Sequence, residues 1–237
     1  MGTPFRRAAG VIVIGAVLVA AGCAPSVDPL MDSAFYDLVH ADSYTDPKNP
    51  AVRTLAEMGE PAVPRLIELL RDPERMTRRK AAFALAEMDP PATSAVPALI
   101  ELLANKDFEN WVARHPAAVA LGRMGDAGLV AIPALADSVC DESFGVQNFV
   151  REALVNLGAP ATPIVAAVLD DDDIGFKMLM TLRDHANPPS PELIPHLAKW
   201  LGTPGSGAYD LLRRIGTPAA LAAVDEYERE NAPPPSD

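Results

Sequence analysis

A nine-residue pattern with proline at its third place recurs through this sequence, and few folds are open to a chain built that way. AVPALIELL at residues 95–103 is the cleanest copy. AVPRLIELL (62–70), AIPALADSV (131–139), ATPIVAAVL (161–169) and LIPHLAKWL (193–201) repeat it, and TPAALAAV (217–224) is a weaker sixth. Proline is tolerated in a helix's first turn, where its missing N–H has no partner to lose and its ring already holds helical φ. Each copy is therefore predicted to open a helix at its proline. Counted from Pro97, apolar residues occupy positions −1, +2, +3, +5 and +6 (Val96, Leu99, Ile100, Leu102, Leu103). That stripe is too wide for a helix resting on one neighbour. Positions +1 and +4 fall outside it: Arg65 and Glu68, Ala98 and Glu101, Ala134 and Asp137, Ile164 and Ala167, His196 and Lys199. These pairs are predicted to form an exposed ridge.

A second template precedes each copy: a small or apolar residue, a Leu four places on, an apolar residue three further, then a helix stop that is usually Gly. The Leu column is Leu55, Leu85, Leu121, Leu154, Leu182 and Leu212. Its apolar mates are Met58, Met88, Met124, Leu157, His185 and Ile215, and the stops are Gly59, Asp89, Gly125, Gly158, Ala186 and Gly216. The Leu-to-Leu steps are 30, 36, 33, 28 and 30 residues. Two amphipathic helices per unit at that period predict an all-α chain, an α-solenoid in which each pair buries its faces against its neighbours.

At these residues the sequence resembles the HEAT-repeat family, in the short bacterial form also called HEAT-like repeats of the phycobilisome-lyase type. The resemblance spans about residues 50–228 and rests on recurrence rather than on any one motif. The Trp, Gly and Tyr signature of tetratricopeptide repeats and the T-P-L-H of ankyrin repeats do not occur. The resemblance implies about six short helix pairs, with the second helix of each lining a concave face. It also implies a ladder of stacked Asp and Arg between repeats. Arg53, Arg78, Arg79, Arg114, Arg151 and Lys177 would be its basic members, and Asp72, Asp107, Asp141 and the acids from Asp170 to Asp173 its acidic ones. With an acid near each cation, a basic ligand site is not expected there.

The ends carry an address. Arg6 and Arg7, an apolar run over residues 8–21 and small residues before Cys23 read as an export signal, and the run is short for a bilayer span. Val19, Ala20, Ala21, Gly22 and Cys23 resemble a bacterial lipobox, with Ala20 where Leu is favoured. The resemblance implies cleavage before Cys23, acylation of that cysteine and, with Ala24 following, an outer-membrane destination. The body would then lie in the periplasm or at the cell surface. An uncleaved anchor helix and an ordinary signal are the alternatives. Losing residues 1–22, which hold two arginines and no acids, takes the net charge from −12 to −14. Such acidity argues against nucleic acid or an anionic membrane surface as a ligand. Residues 23–49 are read as the acylated cysteine, a tether and a capping helix from Asp32 to Val39, with Phe35, Leu38 and Val39 inward and Asp32 or Ser33 as N-cap. Residues 50–230 are the repeats, and 231–237 a Pro-rich disordered tail.

No catalytic constellation stands out. None of His40, His115, His185 and His196 belongs to an H-E-x-x-H motif or a His-Glu pair, and no G-x-S-x-G, Walker loop or dinucleotide turn occurs. His185 stands in an apolar column and reads as a core histidine; His196 lies on the ridge beside Lys199. Cys140, the one cysteine besides Cys23, reads as a partly buried thiol. Asp170 to Asp173 read as a solvated loop with Asp172 or Asp173 capping the next helix. Phe108, Trp111 and His115 share a face if their segment is helical, either filling the core or forming a recognition patch. Pro116 is expected to start or kink the helix there.

These readings converge on a non-enzymatic, cofactor-free scaffold, lipid-anchored through Cys23, that binds an envelope protein or peptide. Ala98, Ala134, Ile164, Ala167, His196 and Lys199 are the candidate contact residues, an apolar floor ending in charge. An accessory subunit of an enzyme or cofactor assembly and a structural spacer are the other classes that fit.

Overall fold

The computed structural model describes residues 28–40, 49–107 and 110–232. The export signal, Cys23, most of the tether, residues 41–48, Phe108 and residues 233–237 lie outside the described residues. Among those described, all regular structure is helical. A capping helix, α1 (Pro29–His40), precedes six pairs: α2 (Pro50–Met58) with α3 (Val63–Leu69), α4 (Arg75–Glu87) with α5 (Val96–Ala104), α6 (Trp111–Arg123) with α7 (Ile132–Ala136), α8 (Phe144–Leu157) with α9 (Thr162–Asp170), α10 (Gly175–Asp184) with α11 (Ile194–Ala198), and α12 (Ala208–Ile215) with α13 (Pro218–Glu230). The chain is an all-α repeat fold of the α-solenoid class. It forms two compact units, one ending at Ala120 and one beginning at Leu121.

The second helices do begin at their prolines, but one residue earlier than expected. In α3, α5, α7, α9 and α11 the proline is the second helical residue, and a 3-10 turn leads in. The turns close through Ala62 N–H to Gly59 O (3.0 Å), Ala95 to Ala92 (2.9 Å), Ala161 to Gly158 (3.0 Å) and Leu193 to Ser190 (3.0 Å). The second position is equally free, because the first four N–H groups of a helix have no partner within it. First helices end as the stop column predicts: Gly59, Gly125 and Gly158 have φ of 66°, 55° and 71°, where a side chain would be strained.

The Leu column is the core. In the first unit Leu55 and Leu85 are buried with Leu66 and Leu99; in the second, Leu121, Leu154, Leu182 and Leu212 with Leu135, Leu169 and Leu197. Each contributes about 1.5–3 kcal/mol by leaving water. Met88, Met124 and Leu157 join them, whereas Met58, His185 and Ile215 are only half-buried. His185 is therefore not a core histidine. Its ring reaches out of the column because it has polar partners, described below.

The capping helix starts earlier than expected, at Pro29, and Asp28 caps it: its Oδ1 accepts the Leu30 N–H at 2.9 Å. Asp32 lies one turn inside instead. Phe35 and Leu38 are buried as expected, but Val39 faces outward, 37% exposed. The helix packs on α2 and α4. Pro116 neither starts nor ends a helix; it is the sixth residue of α6, buried among Ala113, Ala117, Ala118 and Ala120. In the second unit Gly122 permits a close crossing, since a Cβ there would stand 2.6 Å from the Ala153 Cα.

Candidate functional site

The ridge positions come from the second helices. Glu68, Glu101, Asp137, Ala167 and Lys199, the +4 residues, are all exposed. The +1 residues Arg65, Ala134, Ile164 and His196 are half-buried, and Ala98 is buried at 6% exposure. Ala98 therefore does not belong to an open ridge, although Ala134 at the same +1 position is only half-buried.

The charged ends of the ridge are tied down within the chain. In the first unit Arg71, in the loop after α3, bridges to Glu101 on α5 at 2.5 Å, which holds the Glu101 carboxyl below its usual range. In the second unit His196 Nδ1 meets Asp170 Oδ1 at 2.9 Å. Lys199 Nζ donates to the Asp170 carbonyl at 2.8 Å and lies 3.2 Å from an Asp172 oxygen. The acidic loop between α9 and α10 thus has a use, though not the expected one. No side chain caps α10, whose N-cap is Ile174; Asp171 Oδ1 instead accepts the N–H groups of Asp173 (2.9 Å) and Ile174 (3.0 Å) in the turn that leads into it. No cluster of three metal-ligating side chains occurs among the described residues.

The expected Asp–Arg ladder is built differently. Arg78 donates to the carbonyls of Asp72 (2.7 Å) and Pro73 (2.9 Å), Arg114 to those of Asn105 (2.9 Å) and Asp107 (3.2 Å), and Arg214 to those of Arg183 (2.9 Å), His185 (2.6 Å) and Asn187 (2.9 Å). Guanidinium groups thus satisfy the carbonyls that helix C-termini and loops leave open. Arg78 and Arg114 stand seven residues before their column leucines. Seven before Leu154 stands Gln147, whose Nε2 donates to the Asp141 carbonyl at 2.7 Å.

Arg151 is therefore not a member of that ladder. It stands three residues before Leu154, where the other repeats carry Val52, Ala82, Ala118, Leu179 and Tyr209. It is 2% exposed, donates from Nη2 to Asn148 Oδ1, and its Nε and Nη1 have no hydrogen-bond partner. Burial lowers its pKa. It lines a cavity of about 520 Å³ between α8 and α10, with Phe144, Phe176, Lys177 and Met180. Lys177 Nζ stands 5.1 Å from the Phe144 ring centroid. Periodicity read column by column from the leucines singles Arg151 out; proximity in sequence to Asp141 hides it.

The remaining candidates are dispersed. Trp111 is 41% exposed at the start of α6, while His115 is half-buried against Phe83. His185 Nδ1 accepts the Asn187 N–H (3.3 Å), which leaves Nε2 to donate to Asn156 Oδ1 (2.9 Å). Cys140 is exposed rather than partly buried.

The family model described as HEAT repeats matches residues 33–110. No curated protein matches the chain. Among solved structures, the chain is similar to the complex of CpcE and CpcF of phycocyanin lyase from Nostoc sp. PCC7120 (20% identity, 84% of this chain and 81% of that one, TM-score 0.44). It is also similar to a designed armadillo repeat protein in complex with peptide (KR)4 (15%, 82% and 98%, TM-score 0.44) and to human deoxyhypusine hydroxylase (19%, 86% and 91%, TM-score 0.34). The proline-led second helices and the leucine column agree with the HEAT-repeat model over the stretch that it matches, residues 33–110.

Proposed function

We propose that the protein is a non-catalytic repeat scaffold, lipid-anchored through Cys23 in the bacterial envelope, and that the second helices of its second unit bind a protein or peptide partner. The observation that carries this reading is the fixed rim beside an apolar ridge. Ala134 on α7 and Ile164 and Ala167 on α9 present small apolar surface, and His196 and Lys199 beside them are held by Asp170 and Asp172. Polar groups held in place before binding lose little freedom when a partner arrives, which favours affinity and register.

Cross-linking in cells followed by recovery of the full chain tests this, with the parent beside an Ala134→Asp, Ile164→Asp double variant whose fold is checked by circular dichroism. A partner recovered with the parent and lost with the variant supports the ridge; the same partners with both would sink it. The anchor is tested separately. Cys23→Ser should abolish palmitate labelling and membrane fractionation, and a labelled variant would show that Cys23 is not the acylated residue.

A further inference from the structure

We propose that the cavity between α8 and α10 is a second binding site, which takes a carboxylate carried on an apolar body. The argument starts from a column of the repeat. Val52, Ala82, Ala118 and Leu179, at the same place in other repeats, are buried apolar residues; the repeat built on α8 has Arg151 there, equally buried. A charge placed in a core column loses its hydration, and that loss is recovered only through hydrogen bonds or an opposite charge. Asn148 supplies one bond, from one nitrogen. The N–H groups on Nε and Nη1 remain without a partner, and a guanidinium N–H makes its strongest hydrogen bond to a carboxylate oxygen.

The surroundings select the rest of the ligand. The cavity of about 520 Å³ is of the size that holds a small organic group. Phe144 and Phe176, 60% and 36% exposed, stand at its mouth and offer aromatic surface to an apolar body. Lys177 adds a second positive charge from α10. Two acids also line it: Asp184 is engaged by Arg183 at 3.1 Å, and Glu152 is exposed to solvent, so the buried charge among the lining residues is the Arg151 guanidinium. An acidic chain with net charge −12 repels anions at long range, so recognition here is local and rests on the Arg151 guanidinium. The site lies on first helices, apart from the ridge of α7, α9 and α11, and its failure would leave the ridge reading untouched.

The test is calorimetric titration of the full chain in detergent with N-acetylphenylalanine and its amide, and with a ten-residue peptide ending in Phe as free acid and as amide. The free acids should bind at least about 10-fold more tightly than the amides, a ratio that corresponds to one good charge-assisted pair. Arg151→Leu, which restores the column's apolar character and should fold, is expected to remove that ratio. Met180→Trp, which fills the cavity and leaves Arg151 in place, is expected to remove binding. Preference for the peptide acid over the small acid identifies a polypeptide C-terminus as the source, and the reverse a free carboxylic acid. Equal binding of acids and amides, or a ratio that survives Arg151→Leu, overturns the proposal and leaves Arg151 a hydrated core charge.

Discussion

His115 packs edge-on against Phe83, with ring centroids 5.4 Å apart and ring planes at 81°. Burial first, and then the positive charge of Arg79, push its imidazole down to about 4 from an ordinary 6.5. The folded chain therefore refuses a proton that the unfolded chain accepts between those two values. Stability should fall as pH drops from about 6.5 to about 4, with no contribution from this group to the slope outside that window. The full shift corresponds to about 3 kcal/mol, and solvent screening at a half-buried site reduces this to about 1–2 kcal/mol. Denaturant titrations at pH 7.5 and pH 4.5 check it: His115→Gln should lose less stability than the parent over that interval, and parallel losses would remove His115 from the account.

The acidic loop before α10 makes a sharper distinction. Four aspartates stand in a row, and Asp171 alone among them has its side chain on the backbone N–H groups that lead into the helix. Asp171→Ala should cost about 1 kcal/mol, the usual loss for side-chain hydrogen bonds that hold a turn, seen as a melting temperature lower by about 2–4 °C. Asp173→Ala should leave the melting temperature within error. Equal effects would mean that the loop acts through its charge.

How far residues could be placed from sequence follows their periodicity. The leucines of the column are set by a helical repeat and a hydrophobic stripe, both local, and all six are buried where expected. Which acid serves the backbone is not legible in the sequence, because Asp28, Asp32 and Ser33, or Asp170 to Asp173, are equivalent as residue types, and only the backbone path decides which oxygen faces the open N–H groups. Ala98 and Ala134 share position and residue type, yet only Ala98 is buried, so what covers Ala98 comes from its neighbours and not from the repeat pattern. Arg151 could have been found. Grouped with the nearest acid it looks paired, whereas aligned on Leu154 it falls in a column of Val, Ala and Leu.

Gly175 and Trp200 meet where α10 begins. A Cβ on Gly175 would stand 2.6 Å from Trp200 Cζ2 and 2.8 Å from the Leu169 carbonyl oxygen, and that same carbonyl accepts the Trp200 indole N–H at 2.8 Å. Gly175→Ala must displace the indole or the backbone, so it should destabilise by about 1–3 kcal/mol. Gly145→Ala is the control: its Cβ would meet only the Ser143 Oγ, at 3.6 Å, and alanine is the better helix former by up to about 1 kcal/mol. Thermal melts of both variants should move in opposite directions, and a common direction would contradict the packing described.

Asp32 and Arg65 fasten the capping helix to the repeats. Asp32 Oδ1 accepts from Arg65 Nη1 at 3.1 Å, and the guanidinium lies 4.3 Å from the Phe35 ring centroid, so one cation serves the acid and the aromatic ring together. Both side chains are largely buried, 12% and 19% exposed, which sets the pair apart from a surface ion pair such as Arg53 with Glu57. Removing one partner leaves the other's charge poorly hydrated, so Asp32→Ala should cost about 1–3 kcal/mol. Arg53→Ala should cost a few tenths at most. Hydrogen exchange locates the effect: in Asp32→Ala the amides of α1 should exchange faster while those around Leu154 in the second unit keep their protection. Uniform acceleration across the chain would show instead that the pair supports the whole fold rather than the cap.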